Sequence, residues 1–179
     1  MPVPDILEHD HADLAKLLNE FASALRQSDV RHAHQLLDLF WARLAMHIRA
    51  ENLRLFPAVL NGAREPNSQG SEVPRFADVA AIVETLRSDH NFFMDELATA
   101  VKTLRDLVSH DRQPEDPQLI EATRERVEAV ARRLEAHNAL EEEQVYRWPA
   151  LLLTAADLEN LISELKQELE NSPPRFRQN

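Results

Sequence analysis

Apolar residues recur every three or four positions along most of the chain, which is the spacing of one face of an α-helix. The pattern predicts five helical segments, at residues 5–27, 30–60, 75–110, 117–148 and 155–170. The first of them carries the apolar stripe Leu7, Leu14, Leu18, Phe21 and Leu25. Pro57 either kinks or ends the second segment, because proline removes a helical hydrogen bond.

The connections between these segments predict how the helices pack. Residues 61–74 contain both glycines of the chain and predict a long loop, whereas residues 111–117 predict a turn. Four long helices with two short turns predict an all-α fold, an antiparallel up-down-up-down four-helix bundle, within residues 1–153.

Two further segments follow the predicted bundle. Residues 154–171 predict an additional short, amphipathic C-terminal helix, packed on or beside the bundle, with Thr154 and Asp157 as a capping box. An exposed apolar stripe on this helix would favour a homodimer, whereas a covered one would pack on the bundle. Residues 172–179 are predicted to be a disordered tail.

Composition narrows the classes of protein and of site. Only two glycines among 179 residues favour one domain built from long helices. The absence of cysteine excludes disulfides, thiol catalysis, cysteine-ligated zinc and cysteine-ligated iron–sulfur clusters. The net charge of −11 argues against binding to nucleic acids or anionic membranes. Without a signal-peptide pattern or an apolar run that spans a bilayer, we expect a cytoplasmic protein.

Histidine and carboxylate side chains remain as candidate metal ligands, and one pattern of them occurs twice. His47 and Glu51 are four residues apart, and each projects from the same face of its predicted helix. His137 and Glu141 have the same spacing. One such pair is a weak signal, because roughly one is expected by chance in a chain this rich in Glu.

The flanking residues of the two motifs recur as well. An aliphatic–aromatic pair follows each Glu at the same offset, and an Asp-His pair lies in the helix that precedes each motif. These pairs are Leu55-Phe56 and Val145-Tyr146, and Asp10-His11 and Asp89-His90. The chain therefore reads as two related helical hairpins.

Six polar residues of these motifs lie on the apolar stripes, which predicts that they are buried. They are His11, His47, Glu51, His90, His137 and Glu141. A buried charge without a partner costs on the order of several kcal/mol. Bound metal cations would supply the missing partners, and the alternative is a metal-free, hydrogen-bonded polar layer.

The spacing of the four histidines predicts that they lie at one height. In an antiparallel hairpin, residues at equal distances from the turn lie side by side. The midpoint between His11 and His47 falls between the first and second predicted helices. The midpoint between His90 and His137 falls in the predicted turn at residues 111–117. The midpoint between His47 and His90 falls in the predicted loop at residues 61–74. Four helices therefore bring the histidines into one layer.

This layer has the composition of a site for two metal ions. Imidazole suits iron, zinc, copper and nickel, and a bridging carboxylate suits two ions a few ångströms apart. The expected pairing is one ion on His11 and His47, the other on His90 and His137, and two bridging carboxylates, Glu51 and Glu141. Two imidazoles and two carboxylate oxygens leave open positions on each ion for water, oxide, O₂ or NO.

On these residues, the chain resembles the hemerythrin-like (His-His-Glu cation-binding) family. The resemblance covers roughly residues 5–150 and includes the run Leu55-Phe56-Pro57. It implies a four-helix bundle with an oxo- or hydroxo-bridged di-iron centre on the six residues above, with manganese or zinc as alternatives. It also implies binding of O₂ or a related small ligand, or sensing of iron, oxygen or NO. Ferritin-like di-iron proteins use Glu-x-x-His pairs instead, which do not occur at this layer.

Departures from the family pattern bear on the role. Oxygen carriers of the family have a fifth histidine one turn before the third-helix ligand, where this chain has Leu86. Their final carboxylate is an aspartate at a longer spacing, where this chain has Glu141. Reversible O₂ carriage therefore does not follow from the resemblance. Related proteins that repair iron–sulfur centres carry a cysteine-bearing N-terminal domain, and this chain contains no cysteine.

Neighbouring residues also have structural interpretations. His9 is expected at the surface rather than as a fifth ligand. Asp10 and Asp89 are candidates to orient neighbouring groups through hydrogen bonds. Tyr146 lies close to Glu141 in sequence, which invites a redox role, but packing or a hydrogen bond is the preferred interpretation.

The sequence leaves three functions open. The preferred one is a di-iron protein that binds or senses O₂, NO or iron, since no phosphate loop or nucleophile constellation is present. The second is a di-iron peroxidase or oxidase in oxidative or nitrosative stress defence, which would turn over with added reductant, whereas a binder would oxidise once. The third is a metal-free helical interaction protein. We expect a diatomic ligand or iron as the partner, and no nucleic acid or membrane.

Overall fold

The computed structural model describes residues 2–66, 72–109 and 116–171, and within these ranges the regular secondary structure is entirely helical. The elements are α1 (Val3–Arg26), α2 (Val30–Ala50), a π-helical turn (Glu51–Leu55), α3 (Phe56–Arg64), α4 (Phe76–Ser109), α5 (Pro117–Glu143), a 3₁₀ turn (Val145–Arg147), α6 (Trp148–Leu152) and α7 (Ala155–Glu170). The predicted tail at 172–179 and most of the predicted turn at 111–117 lie outside the described residues. None of the described helices is both long enough and apolar enough to span a membrane.

The four long helices contact one another in a closed set. Helix α1 packs against α2 and α5, and α4 packs against the same two helices. The apolar stripes of the sequence face this common interior, because burying them is the main favourable contribution to helix packing. The all-helical prediction is therefore confirmed for the described residues.

Two apolar clusters fill the interior. The first apolar cluster includes Leu14, Leu44, Phe93 and Leu134. The second apolar cluster includes Leu7, Leu55, Leu86, Val145 and Trp148. On all four long helices, the polar residues of the repeated motifs lie in sequence between a member of the first cluster and a member of the second. A polar layer therefore separates the two clusters.

The second predicted helix continues beyond its expected end. The chain stays helical through the π-helical turn and α3 as far as Arg64, so the prediction of a loop from residue 61 was wrong for residues 61–64. Pro57 lies in the first turn of α3 and does not end the helix. Gly62 is buried in α3 beside Leu152, because the missing side chain lets α3 and α6 approach closely.

The fourth predicted helix ends earlier than expected. Helix α5 stops at Glu143, and the 3₁₀ turn separates it from α6. Pro149 explains the break, because a proline removes a helical hydrogen bond and clashes with the carbonyl four residues before it, here that of Val145. The break matters because it sets the direction of Tyr146, which lies in the 3₁₀ turn and is buried.

Helix α7 occupies the residues of the fifth predicted helix. The Thr154 hydroxyl accepts a hydrogen bond from the backbone N–H of Asp157, which caps its first turn. The helix contacts α2 and the π-helical turn. Glu168 is buried in this contact and accepts from the guanidinium of Arg54 at 2.8 Å, while Arg49 lies 3.1 Å from its other oxygen.

We expect Gly62→Ala to destabilise the protein by about 1 kcal/mol. Alanine in place of glycine in a helix gains about 0.8–1.0 kcal/mol. The new Cβ would, however, lie 2.9 Å from the Cβ of Leu152, and overpacking of this kind costs about 1–3 kcal/mol. Denaturant unfolding measures the change, with the exposed neighbour substitution Asn61→Ala as a control that should not destabilise. A Gly62→Ala protein as stable as the parent would contradict the close helix contact.

Candidate metal centre

The structure brings together all six residues that the sequence selected. They come from the four long helices and the start of the π-helical turn, and each is buried, with at most 5% of its surface exposed. We call these six the polar layer: His11, His47, Glu51, His90, His137 and Glu141.

The histidines of the polar layer meet in two pairs. The Nε2 atoms of His11 and His47 lie 3.0 Å apart, and those of His90 and His137 lie 3.2 Å apart. Imidazoles seldom approach so closely with both nitrogens aimed at each other unless they share a proton or a metal ion. Each pair therefore points its ligand atoms at a common place.

Each carboxylate of the polar layer spans the two histidine pairs. One oxygen of Glu51 lies 3.4 Å from His47 Nε2, and its other oxygen lies 3.3 Å from His90 Nε2. Glu141 does the same, with one oxygen 3.5 Å from His11 Nε2 and the other 3.1 Å from His137 Nε2. This arrangement suits two carboxylates that bridge two ions.

Two overlapping sets of ligand atoms result, and in each set all the atoms lie within 4.8 Å of one another. The first position consists of His11, His47, Glu51 and Glu141. The second position consists of His90, His137, Glu51 and Glu141. The two sets share both carboxylates, so the described residues could hold two ions side by side.

Three atoms at the second position make no hydrogen bond of good geometry within the described part of the chain, although the two carboxylate oxygens among them lie 3.3 and 3.1 Å from the Nε2 atoms of His90 and His137. They are the Oε2 atom of Glu51, the Oε1 atom of Glu141 and the Nδ1 atom of His90. Leaving a buried polar atom unpaired costs about 1–3 kcal/mol, and more for a charged group. Two of these atoms are carboxylate oxygens aimed into the second position, so the donor set fits a bound cation.

Carboxylates behind the histidines orient two of the rings. The Nδ1–H of His47 donates to Asp10 at 2.9 Å, and that of His137 donates to Asp89 at 3.1 Å. Each aspartate contacts the histidine of the neighbouring helix rather than the histidine beside it in sequence. This bond fixes the tautomer whose Nε2 is free to bind a metal.

Arginines hold these aspartates in place. Arg43 donates to Asp10 at 2.6 Å, and Arg133 donates to Asp89 at 2.7 Å. We call each chain of arginine, aspartate and histidine a relay. Each predicted helical hairpin contains one relay, Arg43–Asp10–His47 in the first and Arg133–Asp89–His137 in the second. A different contact orients His11, whose Nδ1 lies 2.8 Å from a carboxylate oxygen of Glu142.

The charges of the polar layer shift its pKa values. Burial alone lowers the pKa of His47, but the carboxylates of Glu51 and Asp10 raise it well above its ordinary value. Burial likewise opposes the shift at His137, whose pKa is raised by the neighbouring carboxylates. Burial raises the pKa of Glu51, yet the His47 imidazolium holds that pKa well below its usual range. Without a metal ion, protons on these imidazoles thus neutralise the carboxylates.

Tyr146 belongs to the site, although the sequence interpretation placed it outside the polar layer. Its hydroxyl lies 2.8 Å from an oxygen of Glu51 and 3.1 Å from one of Glu141, and it can donate its one proton to either of them. Burial and these two carboxylates raise the pKa of Tyr146 well above its ordinary value. The hydrogen-bond interpretation is confirmed. The available signal was its offset from Glu141, which matches that of Phe56 from Glu51.

His90 and His9 differ in their surroundings, since His90 is buried in the polar layer and His9 lies at the surface. The His90 ring stacks on Phe56, with ring centroids 5.7 Å apart and planes 8° from parallel. His9 is exposed, as expected, and lines a surface cavity with Asp10 and Lys166.

Comparison with known families gives one match to most of the chain. Residues 3–149 match the family model described as the hemerythrin HHE cation binding domain. Comparisons with the curated proteins and with the solved structures gave no match. The matched range contains the whole polar layer and Tyr146.

We expect Asp10→Asn to lower the pKa of His47 in the metal-free protein. The amide keeps the shape of the side chain but removes the negative charge that favours the imidazolium. Titration of the imidazole signals by NMR measures the shift. The mirror substitution Asp89→Asn is the control, because it should lower the pKa of His137 and leave that of His47 in place. Identical His47 titration in the parent and in Asp10→Asn would contradict the assigned contact.

Proposed function

Because the chain belongs to the hemerythrin HHE cation-binding domain family, we propose that it is a non-haem di-iron protein that binds or senses O₂, NO or iron. In this proposal residues 1–153 are the antiparallel up-down-up-down four-helix bundle that carries the site. Residues 154–171 are an additional C-terminal helix on that bundle.

The bridging geometry of Glu51 and Glu141 is the observation that carries the proposal. Each places one oxygen near each histidine pair, so two ions would share both carboxylates. The proposed ligands are the six residues of the polar layer. Imidazole with carboxylate suits iron, and also manganese or zinc. When bound, an iron pair supplies redox chemistry and open coordination positions for a small ligand.

Residues outside the polar layer orient its histidines through hydrogen bonds. Asp10 and Asp89 hold the His47 and His137 rings with Nε2 directed inward, and Arg43 and Arg133 hold those two aspartates in place. For Asp10, burial opposes ionisation, but His47 and Arg43 lower its pKa. Orientation of this kind typically contributes about 10–100-fold to metal affinity.

Burial of the polar layer favours a small ligand over an organic substrate. All six residues are buried, and apolar clusters lie on both sides of the layer. A diatomic molecule can reach such a layer through side-chain motion, whereas a larger substrate needs an open cleft. Binding or sensing of O₂, NO or iron is therefore the function that the geometry supports best.

Metal analysis tests the proposal directly. We expect two iron ions per chain in protein purified without chelators, together with near-ultraviolet absorption from an oxo bridge. Glu141→Gln should reduce the iron content, because an amide is a poor bridging ligand. The control is Glu143→Gln, which changes an exposed carboxylate on the same helix and should keep both ions. Absence of metal, even after anaerobic reconstitution with ferrous iron, would sink the proposal.

Metal affinity should rise with pH. In the metal-free protein the pKa values of His47 and His137 are raised above the ordinary 6.5, so these imidazoles keep their protons to higher pH than exposed histidines do. A metal ligand must be deprotonated, so metal binding releases protons. Competitive titration with zinc between about pH 5 and 8 should show affinity that increases with pH. An affinity that is constant over that range would contradict the assignment of these histidines as ligands.

A further inference from the structure

Building on the proposed di-iron site, we propose that its two positions are inequivalent: Tyr146 supplies a fifth protein ligand to the first position, and an exogenous ligand therefore binds at the second position.

The phenol oxygen of Tyr146 lies among all four ligand atoms of the first position. It is 3.0 Å from His11 Nε2 and 3.5 Å from His47 Nε2. It is also 2.8 Å from the Oε1 atom of Glu51 and 3.1 Å from the Oε2 atom of Glu141. These two oxygens are the ones nearest to the first histidine pair. An ion held by these four atoms would have the phenol oxygen beside it.

The phenol oxygen has no such relation to the second position. Within the described part of the chain, Tyr146 makes no hydrogen bond with His90 or His137. Its contacts with Glu51 and Glu141 use the oxygens that face away from those two histidines. The hydroxyl is therefore directed to one position and not to a place midway between the two.

Phenol oxygen is a suitable ligand for a hard cation. Ionised phenol is an oxygen anion, and ferric iron favours such ligands, as in haem proteins with a tyrosine ligand. The Tyr146 side chain is buried, so no solvent competes for its oxygen. In the metal-free protein the one phenol proton lies within donating distance of both Glu51 and Glu141, so the oxygen already faces the place that a cation would occupy.

The second position lacks a counterpart of Tyr146. Phe56 follows Glu51 at the offset at which Tyr146 follows Glu141, and Phe56 stacks on His90. Its ring has no oxygen to offer. One helical turn before His90 the chain has Leu86, which is fully buried and apolar. Two imidazoles and two carboxylate oxygens are therefore all that the neighbouring repeat residues provide.

The outer contacts show the same asymmetry. Both histidines of the first position pair their Nδ1 atoms with carboxylates, those of Glu142 and Asp10. In the second position His137 has such a partner, whereas the Nδ1 atom of His90 has none among the residues that the structure describes. A carboxylate partner raises the basicity of an imidazole ligand. The first position thus differs from the second in two ways, by the phenol oxygen beside it and by the carboxylate partners of both its histidines.

A spectroscopic experiment tests the fifth ligand. Tyr146 is the only tyrosine of the chain, so any tyrosinate signal must come from it. Ferric iron added to the protein should produce a visible phenolate-to-iron charge-transfer band, with tyrosinate modes in the resonance Raman spectrum. Tyr146→Phe should lose the band and the modes. The control Trp148→Phe changes a buried aromatic residue close by and should keep both.

A second measurement tests where the exogenous ligand binds. Azide, a small anion that binds open positions on ferric iron, is added to the loaded protein. We expect an azide-to-iron band to appear while the tyrosinate band remains, because azide and Tyr146 occupy different ions. Loss of the tyrosinate band as azide binds would show competition for one ion and would overturn the assignment.

Iron content measured in the same samples separates this inference from the proposed function. Two irons per chain without a tyrosinate band would overturn the role of Tyr146 and leave the di-iron site intact. Failure to bind iron at all would overturn both. Both outcomes are measured on the parent protein. The inference can therefore be disproved even if the Tyr146→Phe protein does not fold.

Discussion

Four imidazoles and two carboxylates are buried in one layer of a helical core, and the surrounding structure compensates for removing them from water. Isolated charges in such a place cost several kcal/mol each, so the layer is tolerable only if its members neutralise one another or hold cations. Protons on the imidazoles neutralise the carboxylates, as the raised pKa of His47 and the lowered pKa of Glu51 indicate. Within the described residues, one oxygen of Glu51 and one of Glu141 make no hydrogen bond of good geometry, so protons neutralise the layer incompletely.

The apolar clusters on either side of the polar layer restrict the positions of its side chains. Close packing above and below leaves side chains few rotamers, so ligand atoms stay within a few ångströms of a common point. The relays Arg43–Asp10–His47 and Arg133–Asp89–His137 add orientation from outside. Each relay crosses between helices, and each therefore also ties two helices together at the height of the site.

The π-helical turn and α7 extend this support to Glu51. Glu51 is the first residue of the turn, and Arg54 in the same turn pairs with the buried Glu168 of α7. A π-helical turn weakens the regular hydrogen bonding of a helix and is frequent at functional sites. The ion pair with α7 thus holds the segment that carries Glu51.

The sequence by itself determined the helical fold class and the six residues of the polar layer. Both depend on the helical period and on distances from turns, which are local properties of the chain. Tertiary structure alone decided the partners of Asp10 and Asp89, because a neighbour in sequence points to a different face from a neighbour across helices. It also decided the place of Tyr146. The proline after the 3₁₀ turn ends the regular period there, so no helical extrapolation could show that this phenol turns into the site.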